Sequence, residues 1–147
     1  MDVAVREATP EDEGRLRDLA AEAVAEQAEG RGGSIWKRRE AVRVPESDTL
    51  RLVGTIDDAV VGFANVGTET LADGALLGVV TSIYVEPEAR AVSVGEVMLD
   101  EVLAWCQGKG CIGVDAHALP GNRDTKNFFE TFGMTARLIV VHRALEA

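Results

Sequence analysis

Leu76-Leu77-Gly78-Val79-Val80-Thr81-Ser82-Ile83-Tyr84-Val85 is an uncharged, β-favouring run that leads through Glu86-Pro87 into Glu88-Ala89-Arg90-Ala91-Val92-Ser93. Its β-branched and aromatic residues mark it as a central strand, which Pro87 stops. From Val94 onward, Met98, Leu99, Val102, Leu103 and Cys106 form an apolar stripe, while Glu96, Asp100, Glu101 and Gln107 lie opposite. Gly108-Lys109-Gly110 ends this helix. A strand, a short loop and a helix start together predict an anion site. The first N–H groups of a helix lack internal partners, and the helix dipole favours negative charge there. The loop reaches that site with a single glycine, Gly95, where phosphate loops usually carry several.

Working outward, Val3-Ala4-Val5 predicts a short strand, and Thr9-Pro10-Glu11-Asp12 a helix start. Thr9 can cap, Pro10 suits the first helical position, and Asp12 can reach back. Leu16, Leu19, Ala20, Ala23 and Val24 share one face of that helix, which fades near Glu29-Gly30. Arg31-Gly32-Gly33-Ser34 is a joint, followed by a short helix over Ile35–Val42 in which Trp36 either anchors to the core or lines a substrate mouth. Thr49–Ile56 and Val60–Gly67 are partner strands across an Asp57-Asp58 turn, and Asp73-Gly74 turns the chain into the central run. Beyond it come a strand over Ile112–Ala118 and a helix that Asn122 caps, with Phe128, Phe129 and Phe132, and Gly133 as its stop. A last strand spans Thr135–Arg143 around Leu138-Ile139-Val140-Val141. The order β-α-α-β-β-β-α-β-α-β predicts an α/β (α+β) fold: a mixed sheet with helices on both faces, as one domain over residues 1–147.

Composition narrows the function. The chain has 147 residues, 46% hydrophobic and 27% charged, as a soluble globular protein does. Its net charge of −10 argues against a nucleic-acid partner. No apolar run approaches the roughly 20 residues of a membrane span, and the first residues lack the pattern of a signal peptide, so the expected location is cytoplasmic. Cys106 and Cys111 are too few for a disulfide framework, and His117 and His142 are isolated, so no metal site is expected. Residues 1–30 hold nine acids against three bases, and residues 31–44 five bases against Glu40. Such runs are either solvated surface or an acidic approach for a cationic substrate beside a basic patch.

Val85-Glu86-Pro87 followed by Arg90-Ala91-Val92-Ser93-Val94-Gly95 resembles the central-strand motif V-x-P and the loop R/Q-x-x-G-x-G/A of the GNAT superfamily of N-acetyltransferases. Asn122, Thr125, Phe128, Phe129, Gly133 and Met134 resemble that family's N-x-x-A-x-x-[FL]-Y-x-x-x-G-F element, with Phe129 at the tyrosine position and Ser93 at the first loop glycine. The resemblance implies a mostly antiparallel, six- to seven-stranded sheet and an acetyl-CoA (coenzyme A) ligand between the central strand and the next parallel one. Ile83, Tyr84 and Val85 would pair with its pantetheine arm. Ala91, Val92, Ser93, Val94, Gly95 and Glu96 would offer N–H groups to its pyrophosphate, with Arg90 adding charge and Asn122 and Phe129 completing the contacts.

The implied activity is transfer of an acetyl group to a primary amine of a small, cationic molecule or a peptide, by direct attack in a ternary complex. The acceptor would enter near Gly30–Val44. Phe129 cannot donate a proton, so Tyr84 and His117 (with Asp115 two residues before it) are the candidate catalytic groups, though each reads first as a structural residue. The alternatives are a non-catalytic acyl-CoA-binding or partner-binding module, and a nucleotide-binding α/β protein using the same loop. The apolar final strand also allows a homodimer.

Overall fold

The computed structural model describes residues 1–42 and 47–146. Strand β1 (Val3–Glu7), a 3-10 turn (Pro10–Asp12) and helices α1 (Glu13–Ala28) and α2 (Gly33–Arg39) come first. Strands β2 (Ser47–Ile56), β3 (Ala59–Thr70) and β4 (Leu76–Val85) form a meander. A second 3-10 turn (Pro87–Ala89) leads to α3 (Val94–Gly108), β5 (Gly113–Ala116) and α4 (Arg123–Glu130). The sheet order is β1-β2-β3-β4-β5, antiparallel throughout except for the parallel β4–β5 pair.

Local chemistry accounts for the joints. Asp57 and Asp58 both adopt left-handed backbone (φ 48° and 69°), as a two-residue turn between right-twisted strands requires. At the first helix start, Asp12 accepts from the Thr9 N–H at 2.7 Å and the Thr9 hydroxyl at 3.2 Å, and Arg6 donates to both its oxygens at 2.8 and 3.0 Å. The Arg6 hydrogen bonds, then the Thr9 amide, hold the Asp12 carboxyl well below the usual carboxylate range. The α4 helix opens on Asn122, whose Oδ1 accepts from the Thr125 N–H at 3.1 Å. It closes at Gly133 (φ 78°), where the Met134 N–H returns to the Phe129 carbonyl at 3.2 Å.

Helices cover both faces of the sheet, as predicted. Leu16 and Leu19 of α1 pack with Val53, Phe63 and Tyr84 on one face. The α3 helix and Phe129 pack with Leu52, Ala64, Val66 and Val80 on the other. Three strand glycines let α3 lie close. A Cβ would stand 2.5 Å from Val94 Cγ1 at Gly54, 3.2 Å from Met98 Cε at Gly62, and 2.5 Å from Cys106 Sγ at Gly78. Val94, Met98, Leu99 and Val102 are consequently fully buried.

Two expectations are corrected. The described residues form a five-stranded sheet, not one of six or seven strands. The expected last strand, Thr135–Arg143, has no strand partner among the described residues, and its Leu138, Ile139, Val140 and Val141 are 69, 80, 70 and 90% exposed. Propensity alone does not make a strand; backbone pairing does, and β5, beside which this segment begins, offers only four residues. Boundaries also shift slightly: α2 spans Gly33–Arg39 in place of 35–42, and β5 stops at Ala116.

Candidate active site

The β4–β5 ladder runs from Leu77↔Gly113 to Val80↔Ala116 and stops. It stops at a bulge. The β3–β4 register slips between Asn65 and Val66, leaving Thr81 as an extra residue whose hydroxyl donates to the Asn65 carbonyl at 3.3 Å. Asn65 Nδ2 then donates to Ser82 Oγ at 3.0 Å. A bulge bends and over-twists its strand. Past Val80, therefore, β4 continues to Val85 without β5 beside it, and a wedge opens between the two strands.

Alternation decides which groups face the wedge. The Glu86 N–H donates to the Val61 carbonyl at 2.9 Å, so Glu86 and Tyr84 turn their backbone groups toward β3. Those of Val85 and Ile83 turn the other way. The Val85 carbonyl is taken by Arg90 Nε at 2.8 Å.

At the mouth of the wedge, α3 begins. An ideal Cβ on Gly95 would stand 3.8 Å from Val85 Cγ2 and 3.2 Å from the Phe128 ring, so this glycine admits Phe128 of α4. Val97 is the first residue of α3 whose N–H finds a helical acceptor, on the Ser93 carbonyl at 3.0 Å. The N–H groups of Val94, Gly95 and Glu96 precede it, and Ser93 at the cap position makes no side-chain cap bond. Ala91, Ser93 and Glu96 are exposed, Val92 and Gly95 half-buried, and Val94 buried. An open helix start beside an unpaired strand edge suits an elongated ligand with an anionic group at one end and amides along its length.

Arg90 is engaged elsewhere than its expected role on the pyrophosphate. Its guanidinium binds both Glu26 oxygens, at 2.9 and 2.7 Å, and lies 5.4 Å from the centre of the Tyr84 ring. It ties α1 to the end of β4. Tyr84 is buried, with its ring tilted on Phe63. Burial first, then Glu22 and Glu26, push its pKa above the ordinary phenol value against the opposing pull of Arg90, so the hydroxyl keeps its proton.

His117 is exposed, one residue past the end of β5. Tyr84 lies four residues past the last β4–β5 pair and His117 one, where the two strands no longer pair. Nor does Asp115 orient His117. Residues two apart on a strand stand about 6.6 Å apart, and Asp115 is instead bound by Arg137, through Nε at 2.8 Å and through its second oxygen.

A pocket of about 190 Å³ between the end of α1 and the loop before α4 is lined by Glu26, Gln27, Gly30, Leu119, Gly121 and Asn122. Besides its capping bond, Asn122 donates through Nδ2 to Gln27 Oε1 at 3.4 Å. Gln27 and Glu26 were not singled out in the sequence, because their partners lie 95 and 64 residues away. Phe129 is 7% exposed and belongs to the α3-side core. Trp36 is half-buried. Gly30 opens the expected acceptor entrance, whose residues 43 and 44 lie outside the described residues. Acids of the first thirty residues are ion-paired, among the described residues Asp12 with Arg6, Glu13 with Arg51, and Glu26 with Arg90. Cys106 and Cys111 are free thiols, and burial pushes Cys106 up to about 11. Among the described residues no group of His, Cys, Asp and Glu could hold a metal, and no helix is long and apolar enough to cross a membrane.

The fold recurs in solved structures. The chain is similar to AAC(6')-Iy in complex with the bisubstrate analog CoA-S-monomethyl-acetylneamine, at 14% identity and TM-score 0.73, covering 100% of both chains. It is similar to glucosamine-6-phosphate N-acetyltransferase from Arabidopsis thaliana, at 16% identity and TM-score 0.71, over 99% of this chain and 100% of that one. The tetramutant of the BH1408 protein from Bacillus halodurans aligns at 14% identity and TM-score 0.79, over 97% and 99%. At such identities the likeness establishes the fold alone. No individual curated protein matches the chain. The sequence profile of the Acetyltransferase (GNAT) family, however, matches residues 15–134, most of the chain, and this protein therefore belongs to the GNAT acetyltransferase family, whose members generally use acetyl-CoA.

Proposed function

We propose that this protein is an acetyl-CoA-dependent N-acyltransferase that acetylates a primary amine of a small cationic molecule or peptide in a ternary complex. The observation that carries the reading is the wedge between β4 and β5 with the uncapped start of α3 at its mouth. Acetyl-CoA supplies the activated acyl group as a thioester. The N–H groups of Ala91 and of Val94, Gly95 and Glu96 bind its pyrophosphate, and Ile83 and Val85 bind its amides along the free edge. Asn122 and Gln27 flank the same path. The excess of acids over bases along α1 favours a positively charged acceptor, Glu26 itself being already paired with Arg90.

Phe129 holds no proton, so the departing thiol takes its proton from Tyr84, which burial keeps protonated, or from water; a thiol pKa near 8.5 makes the thiolate a tolerable leaving group. His117, exposed just past the end of β5, is the candidate to accept a proton from the acceptor amine through solvent.

The test is release of free CoA thiol when the protein is mixed with acetyl-CoA and a panel of primary amines. Turnover is expected, with Tyr84→Phe losing about tenfold to a hundredfold in kcat while CoA affinity is kept. Saturable CoA binding with no thiol release across the panel would support the second reading, a binding module, which the burial of Phe129 at the family's tyrosine position favours. A thermal shift with ATP or NAD and none with CoA would overturn both.

A further inference from the structure

The two thiols meet where α3 ends. Gly110 (φ 80°) turns the chain in the left-handed region; its N–H returns to the Gln107 carbonyl at 3.1 Å, and the Cys111 N–H to the Cys106 carbonyl at 3.0 Å. That pair of bonds is the Schellman helix end, which lays the residue after the glycine against the last helical turn. Here both residues of that contact are cysteine. Cys111 packs on the cluster that buries Cys106, and a hydrogen bond joins the two thiols. The backbone bond alone keeps the two Cα atoms within about 7 Å, inside the reach of a disulfide. Both flanks are anchored. Cys106 is 1% exposed, and its Sγ fills the space over Gly78 of β4, where a Cβ would stand 2.5 Å from it. The Ile112 N–H, next after Cys111, donates to the Leu76 carbonyl at 2.8 Å. Burial first, then Cys111, push the Cys106 thiol up, so it stays protonated, whereas Cys111 is half-buried and reached by solvent.

We propose that Cys106 and Cys111 are a redox pair that hydroperoxides close into a disulfide, stapling the end of α3 to the start of β5. The Cys111 sulfur gives up its proton and attacks one oxygen of hydrogen peroxide. The O–O bond breaks, leaving a sulfenic acid on Cys111 and releasing water. The Cys106 sulfur then attacks the sulfenic sulfur, the S–S bond forms, and the sulfenic hydroxyl departs with the Cys106 proton as a second water. Two thiols lose two electrons in all, and the peroxide gains them. The thiols already touch, so closure outruns further oxidation of Cys111, and an added dithiol reopens the bridge by exchange. A pair that is reduced at rest and closes on oxidation is the usual form of a disulfide in a reducing compartment.

The test is the full chain treated with excess hydrogen peroxide, then unfolded and titrated for thiols. No free thiol is expected, with an intact single-chain mass lower by two hydrogen atoms, and dithiothreitol should restore both thiols. The bridged protein should melt about 5 °C above the reduced one. In Cys106→Ala, a sulfenic acid should persist on Cys111 and be captured by dimedone; in Cys111→Ser, Cys106 should resist peroxide. Two free thiols after treatment, oxygen gained in place of hydrogen lost, or a bridge between two chains overturns the proposal. So does a Cys111→Ser protein whose Cys106 reacts as fast as the native pair. A bridged form that melts no higher than the reduced one overturns it as well, since the bond would then strain the joint instead of stapling it.

Discussion

Two helix starts in this molecule obey the same physics and end differently. Before α1, a carboxylate already occupies the approach: Asp12 takes the Thr9 N–H ahead of the 3-10 turn at 2.7 Å and is itself held by Arg6, although it makes no side-chain bond to the first amides of α1. At α3 no side chain caps the helix, and Ser93 leaves the first N–H groups open. The difference is not one of residue type alone, since serine is as good a capping residue as threonine or aspartate. Ser93 sits at φ −75° and ψ 25°, outside the extended conformation from which a cap side chain reaches the following amides. A closed start spends its donors on stability, whereas an open one keeps them for a ligand.

The sharpest way to break this contrast is to close the open end. Ser93→Asp sets a negative charge beside the start of α3, where it repels a pyrophosphate and suits the helix dipole, and CoA affinity measured by calorimetry is expected to fall more than tenfold, about 1.4 kcal/mol, while the melting temperature holds or rises. The converse is to open the closed end. Asp12→Ala removes the reach-back bond and should cost about 1–2 kcal/mol in urea unfolding, with CoA affinity unchanged.

The same carboxylate predicts a pH dependence. Its folded pKa lies below the unfolded value near 3.9, so its stabilisation is complete at neutral pH and fades as pH drops below that value toward the folded one. The stability gap between the native protein and Asp12→Asn should accordingly be constant from neutrality to about pH 5 and shrink below about pH 4. The smallest effect belongs to Glu96, the acid in the first turn of α3. Glu96→Gln should cost about 0.3–1 kcal/mol of stability by losing its favourable place at the helix start, and should tighten CoA binding slightly by removing a like charge.

The central strand and α3 were legible because each carries a strong period and a hard stop: Pro87 after Val85, and Gly108-Lys109-Gly110 at the end of the helix. Asp57-Asp58 and Gly133 were legible for the same reason, since turns are written in residue type. What was hidden depends on partners. The bulge at Thr81 exists only in the register against β3, and no property of Thr81 announces it. Arg90 reads as a phosphate ligand in the sequence, which gives no hint that Glu26, 64 residues away, binds its guanidinium. Asp115 and His117 looked coupled at their spacing, but a longer arginine reached the carboxylate from Arg137. The apolar content of Leu138 to Val141 suggested a strand, and composition could not show that this segment lies outside the sheet, with all four side chains exposed.

The three bare positions at Gly54, Gly62 and Gly78 have a dynamic consequence. They seat α3 so deeply that Val94, Met98, Leu99 and Val102 lose all contact with water. The N–H groups at the head of α3 are thus carried by the helix at the centre of the α3-side core, not by an independently mobile flap. Their hydrogen exchange should slow to the rate of global unfolding from Val97 onward, and ligand capture there should need no prior ordering of the backbone. A methyl group introduced at Gly54, 2.5 Å from Val94 Cγ1, would therefore be felt first as faster exchange along α3, well away from the loop itself.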